Sequence, residues 1–243
     1  MTPAEPLFWV VIAASFLSSC LSATFAMGGG FVMLALLASV LPLTAVVPIH
    51  SALMLGMSLG RAWFFREHVY RAVAVPFVIG CAIGAPLGAG IYLRLPEPVI
   101  AAVLCVFILA AVWAPPVKWR PRIPHPFFFV GIVHAFLSSM FAFGGLLQPL
   151  LMRSRLDRMQ VIGTLAVSLV LMNVTKIAGY VGFGFDFRPY LLVIAAAILA
   201  GIPGAWLGRR LAMRVSEQRF RIVLRVMLTI VAARLAWRAW LLI

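Results

Sequence analysis

"FAMGGGFVML", residues 25–34, sets a glycine triplet inside apolar sequence, and a related stretch, "FAFGGLLQPL", starts 116 residues later (25 to 141) at residues 141–150. A glycine weakens a helix by roughly 1 kcal/mol relative to alanine. Two breaks of the same kind in one chain therefore mark places where the backbone must reverse or come close to a neighbour.

The sequence around them is that of an integral membrane protein. Hydrophobic residues make up 64% of the 243 and charged residues 11%, with a mean hydropathy of +1.10. Soluble domains run near 45–50% apolar and about 25% charged. At about 20 apolar residues per span the length accommodates six to eight crossings and little else. Apolar runs fall at 7–41, 43–64, 72–93, 98–114, 127–152, 159–184, 189–208 and 222–243. The formal net charge of +14 would suggest nucleic acid in a soluble protein; here it reads as basic loops on the cytoplasmic side, so no nucleic-acid partner is expected. The first basic residue is Arg61, so the run from Leu7 lacks the basic flank of a cleaved signal and reads as a retained membrane segment. Cys20, Cys81 and Cys105 form no CxxC pair. No disulfide framework, metal site or cofactor is implied.

The runs 7–41 and 127–152 are each broken by their glycines into arms short for full crossings, which predicts returning hairpins, either re-entrant or of two full spans. Charge placement agrees. If both broken runs return to their starting side, the basic residues at 61–71, 118–122, 153–158 and 209–225 share one side, and Arg94, Arg188, Arg234 and Arg238 the other. If each broken run crosses once, that asymmetry almost vanishes. The expected topology puts both termini outside.

An internal duplication is visible at a second offset. Shifting by 120 residues superposes Phe65 on Phe185, Tyr70 on Tyr190, Gly84 on Gly204, Gly88 on Gly208, Arg94 on Arg214 and Glu97 on Glu217. The predicted fold is an all-α polytopic membrane protein of two inverted repeats, residues 1–117 and 118–243, each a glycine-broken hairpin plus three transmembrane helices. Residues 114–126, "APPVKWRPRIPHP", join them as a proline-rich, basic cytoplasmic linker. Inverted repeats are the architecture of many secondary transporters.

In such a hairpin, glycine permits the sharp turn, and the helix that starts after it points unpaired N–H groups and a partial positive charge at the tip. Two tips contributed by inverted halves would suit an anion. Gly28, Gly29, Gly30, Gly144 and Gly145 are thus candidate substrate-binding residues; "GAPLGAG" at 84–90 reads instead as close helix packing.

Lys176 lies inside an apolar run, where a cation costs about 2.5–3.5 kcal/mol on insertion scales and needs a partner or a cavity. Either it meets substrate, with Asn173 on the same helical face, or it snorkels toward the interface near Phe185. Gln148, three residues past Gly145, could donate to an anion. His50 and His134 are candidates for proton coupling or for hydrogen-bonded packing. Thr164 and Ser51 read as helix-packing hydroxyls. All six acidic residues fall at predicted loops or ends, which excludes a midplane carboxylate for sodium or proton carriage. No HExxH, intramembrane aspartate pair or serine nucleophile with a partner histidine emerges, so no enzyme is expected.

The order of these motifs, "FAMGGGFVML", "FAFGGLLQPL", "VIGTLAVSL" at 161–169, "GAPLG" at 84–88 and "GAWLG" at 204–208, resembles the TauE/SafE family of membrane permeases over nearly the whole chain. The first half departs from it in continuing without proline until Pro42 and in reading "VPIHSAL" where the second has "VIGTLA". The resemblance implies a permease of the bacterial cytoplasmic membrane moving sulfur-containing anions such as sulfite, thiosulfate or organosulfonates, with the lipid bilayer and a small anionic substrate as partners and room for a homo-oligomer. The rival reading is a non-transporting membrane subunit whose glycine faces serve assembly.

Overall fold

The computed structural model describes residues 2–25, 29–113, 126–142, 145–152, 154, 156–211, 226, 229–237 and 240. Gly28, Gly144 and most of the 114–126 linker, and much of the 222–243 run, lie outside them. Regular structure among the described residues is helical, as apolar sequence in a bilayer requires when each backbone group must find its partner within its own segment.

In chain order the helices are α1 (Pro6–Phe25), α2 (Gly29–Val40), α3 (Leu43–Phe65), α4 (Arg71–Tyr92), α5 (Glu97–Trp113), α6 (Pro126–Phe141), α7 (Leu147–Met152), α8 (Arg158–Gly182) and α9 (Leu191–Leu211), followed by a helical stretch at 229–237. Among the described residues, five segments are long and apolar enough to cross a membrane: Pro6–Thr24, Leu43–His68, Arg71–Tyr92, Arg158–Gly182 and Arg188–Leu211. Each broken run yields two helices, and the second arms are short: 12 residues in α2 and 6 in α7. At 1.5 Å per residue, α2 covers about 18 Å, well under a bilayer core of about 30 Å.

The starts and stops follow local chemistry. Asp157 caps α8: its carboxylate accepts from the Gln160 N–H at 2.8 Å, and the Gln160 side chain accepts from the Asp157 N–H at 3.3 Å, a reciprocal capping box. Gly184, at φ +92°, ends the same helix. In the second broken run the left-handed residue that ends α6 is not a glycine but Ala142, at φ +57°. In the first, Gly29 and Gly30 sit in the opening turn of α2.

The chain forms two compact units: Met1–Leu53, Leu95–Pro116 and Asp186–Ile243 in one, Met54–Arg94 and Val117–Phe185 in the other. Each draws helices from both 1–117 and 118–243. In the first, α1 packs against α9 and α2. α5 meets the stretch 229–237, where the Cys105 thiol donates to the Ala232 carbonyl at 3.2 Å. In the second, α4 packs against α6 and α8 around Val73, Phe77, Cys81, Ala85, Val130 and Met172. The opposite side of α4 carries Val75, Ile79, Ile83, Leu87 and Ile91, four residues apart and exposed, the apolar ridge a bilayer covers.

The two main crossings are built alike. A Cβ added to Gly84 or Gly88 of α4 would strike the carbonyls of Ile132 and Phe136 in α6; one added to Gly204 or Gly208 of α9 would strike those of Phe16 and Cys20 in α1. The glycines are 120 residues apart and the carbonyls 116, the two offsets present in the sequence. The "GAPLGAG" glycines thus do serve close helix packing.

Candidate functional site

Site chemistry concentrates in the unit built from α4, α6, α7 and α8. Lys176, six residues before the end of α8, is 1% exposed, and its ammonium donates to the Ser138 hydroxyl in the last turn of α6 at 2.9 Å. One turn further along α8, the Tyr180 hydroxyl donates to the Ser139 carbonyl at 2.6 Å. Residues i and i+4 of α8 therefore grip two successive residues of α6, just before the left-handed Ala142. A buried cation beside a helix C-terminus also meets the negative end of its dipole.

Thr164, Ser168, Asn173 and Lys176 are all buried. The Thr164 hydroxyl accepts from the Tyr70 N–H at 2.9 Å, and a Cβ on neighbouring Gly163 would meet the Phe65 carbonyl at 2.5 Å, so "GT" in "VIGTLA" seats α8 on the turn before α4. Thr164 is thus the packing hydroxyl the sequence suggests, whereas Ser51 bonds within its own helix, to the Val47 carbonyl. Asn173 likewise donates to its own helix, at the Leu169 carbonyl, 2.9 Å away.

His134 lies one turn before Ser138 on α6, fully buried, its ring edge-to-face with Phe77 at 5.5 Å between centroids. Gln148 lies exposed on α7, and Gly145 is exposed just before it. The remaining candidates belong to the other unit. Gly29 is buried where a Cβ would strike Ser22 and Ser18, and its carbonyl accepts from the Ser18 hydroxyl at 2.7 Å. His50 of α3 reaches the Gly30 carbonyl through Nε2 at 3.1 Å. So the structure brings Lys176 and His134 onto the same stretch of α6, and ties His50 to Gly30.

Sequence reasoning missed Ser138, Ser139 and Tyr180. The signal available was the "SS" pair one helical turn after His134. Two hydroxyls here, those of Ser139 and Ser168, are buried with no hydrogen-bond partner among the described residues. No Asp or Glu is buried among the described residues, and no cluster of metal-ligand type occurs among them. What the site offers is one positive charge and several hydroxyls, the equipment for holding a small anion rather than a cation.

A multi-pass helical membrane protein with a single buried ammonium among its described residues is the class these observations define. The chain belongs to the sulfite exporter TauE/SafE family, whose model matches residues 11–235. No curated protein and no solved structure gives a match.

Proposed function

We propose that the protein is a secondary permease for small anions, sulfur oxyanions such as sulfite, thiosulfate or organosulfonates among them, working by alternating access in a bacterial cytoplasmic membrane. The observation that carries this reading is Lys176: a buried ammonium bonded to a hydroxyl, with no buried carboxylate among the described residues to neutralise it. A charge so placed is costly unless something supplies its partner, and in a permease the partner is the cargo. Ser138, Ser139 and Asn173 complete the shell; His134 and, in the other unit, His50 are the candidates for coupling a proton. Gln148 and the backbone N–H groups of Gly28, Gly29, Gly30, Gly144 and Gly145 are candidate donors along the path. Membership of an exporter family supports transport over catalysis. The matching crossings at offsets of 116 and 120 residues support two related halves, 1–117 and 118–243, and the odd number of crossings in each would give them opposite orientations with both termini periplasmic. The rival, an assembly subunit, loses its main support, because the glycine faces of α4 and α9 are taken up by helices of the same chain.

The test is the thermal stability of the purified protein against sulfite, thiosulfate, methanesulfonate, acetate and chloride, with Lys176→Ala alongside. A ligand at 100 times its Kd adds about 2.7 kcal/mol. A rise selective for sulfur oxyanions that disappears in the variant supports the reading. No rise with any anion, or one that Lys176→Ala leaves intact, removes Lys176 from the site.

A further inference from the structure

Resting on the reading of Lys176 as the anion's partner, the charge inventory around it goes one step further. We infer that the site is built for a single negative charge, so that among the anions named above it takes monoanions such as a monosulfonate or hydrogen sulfite and discriminates against dianions, thiosulfate included.

Among the described residues Lys176 is the one charged side chain that is buried. The described groups around its bond to Ser138 are a phenol, a thiol and an imidazole. The Ser138 hydroxyl accepts a hydrogen bond from it. Tyr180 spends its hydroxyl on the Ser139 carbonyl. Cys81, from α4, turns its thiol to the Gly131 carbonyl at 3.6 Å. His134 lies against Phe77. Neither an arginine fork nor a second ammonium is buried with them among the described residues. A monoanion docked on Lys176 makes a neutral pair, and its remaining oxygens can take hydrogen bonds from hydroxyls; that of Ser139, next to Ser138, has no hydrogen-bond partner among the described residues. A dianion leaves one uncompensated charge in a low-dielectric interior, where Coulomb and desolvation penalties are largest. Hydroxyl groups stabilise an oxyanion but do not neutralise it, so they cannot make up the missing cation.

Methanesulfonate and sulfate decide the matter. Both are tetrahedral, nearly equal in size and fully ionised at pH 7.5, and they differ by one charge. Binding of each to the purified full chain is measured by thermal shift and equilibrium titration, for the wild type and for Lys176→Met. The expected result is methanesulfonate binding at least about 100-fold tighter than sulfate, lost in Lys176→Met. Sulfate binding as tightly or more tightly, still dependent on Lys176, overturns the charge inference and leaves the anion site standing. Methanesulfonate preference that survives Lys176→Met also overturns it, because the selecting charge then lies elsewhere. Binding of neither ion overturns both this inference and the reading beneath it.

Discussion

Ser15 donates its hydroxyl to the carbonyl of Ala197 at 2.6 Å, while at the matching place in the other crossing Gly131 brings a bare α-carbon against the carbonyl of Phe77. The two contacts are related by the same offsets, 116 and 120 residues, but one is bridged by a hydroxyl and the other is closed to contact. Ser15→Ala should therefore cost about 1 kcal/mol, the worth of one buried hydrogen bond, whereas Gly131→Ala should cost more, about 1–3 kcal/mol, because backbone must move. Thermal unfolding in detergent of the two variants checks the ranking.

Gly84→Ala and Gly204→Ala should behave alike. Each would drive a methyl into a carbonyl of the facing helix, at about 1–3 kcal/mol, or several degrees in Tm for a chain of this length. Gly60, also helical, has open space where its Cβ would stand, so Gly60→Ala should leave Tm unchanged or raise it slightly. Equal behaviour of all three would contradict the packing account.

Ala142 is held at φ +57°, a conformation that costs an L-residue with a Cβ about 1–2 kcal/mol. Ala142→Gly should recover part of this, about 0.5–1 kcal/mol once the greater freedom of an unfolded glycine is counted. Ala142→Val should lose stability. The pair is read by thermal unfolding, and a loss in Ala142→Gly would mean that the methyl group has a packing role.

Lys176→Met keeps an unbranched side chain, one atom shorter, and removes the buried charge. Stability without ligand should be unchanged or higher, since a buried ammonium is costly, while uptake into proteoliposomes is abolished. Tyr180→Phe should do the reverse: lose about 1 kcal/mol with the bond to Ser139 and retain transport. A variant pair in which stability and transport fall together would tie Lys176 to folding instead.

The helices themselves were legible because a bilayer demands long apolar runs, and each described run appears as helix within a few residues of its sequence limits. Lys176 stood out for the same reason, since a cation in such a run must find a partner, a cavity or a route to the interface. Ser138 and Ser139 were not. Hydroxyls in apolar helices most often bond back to carbonyls of their own helix, as Ser39, Ser51 and Thr175 do here, and nothing in the local pattern separates those from Ser138, which meets a lysine 38 residues away, or from Ser139 beside it. The pairing of helices was equally hidden. Charge distribution assigns each loop a side of the membrane but gives no helix a neighbour, and glycine at 84 or 204 announces a close approach without saying to what. The left-handed turn at Ala142 escaped because the adjacent glycines looked better suited to it.

That α1 packs on α9, whereas α4 packs on α6, has a consequence for synthesis. α6 follows α4 after 33 residues, but α9 starts 165 residues after the end of α1. At about 5–20 residues per second, the ribosome leaves α1 without its mate for on the order of 8–33 s. During that wait Ser15, whose hydroxyl ends on Ala197 of α9, has only lipid or a provisional neighbour to turn to, so the middle of the chain is ready to assemble before its beginning.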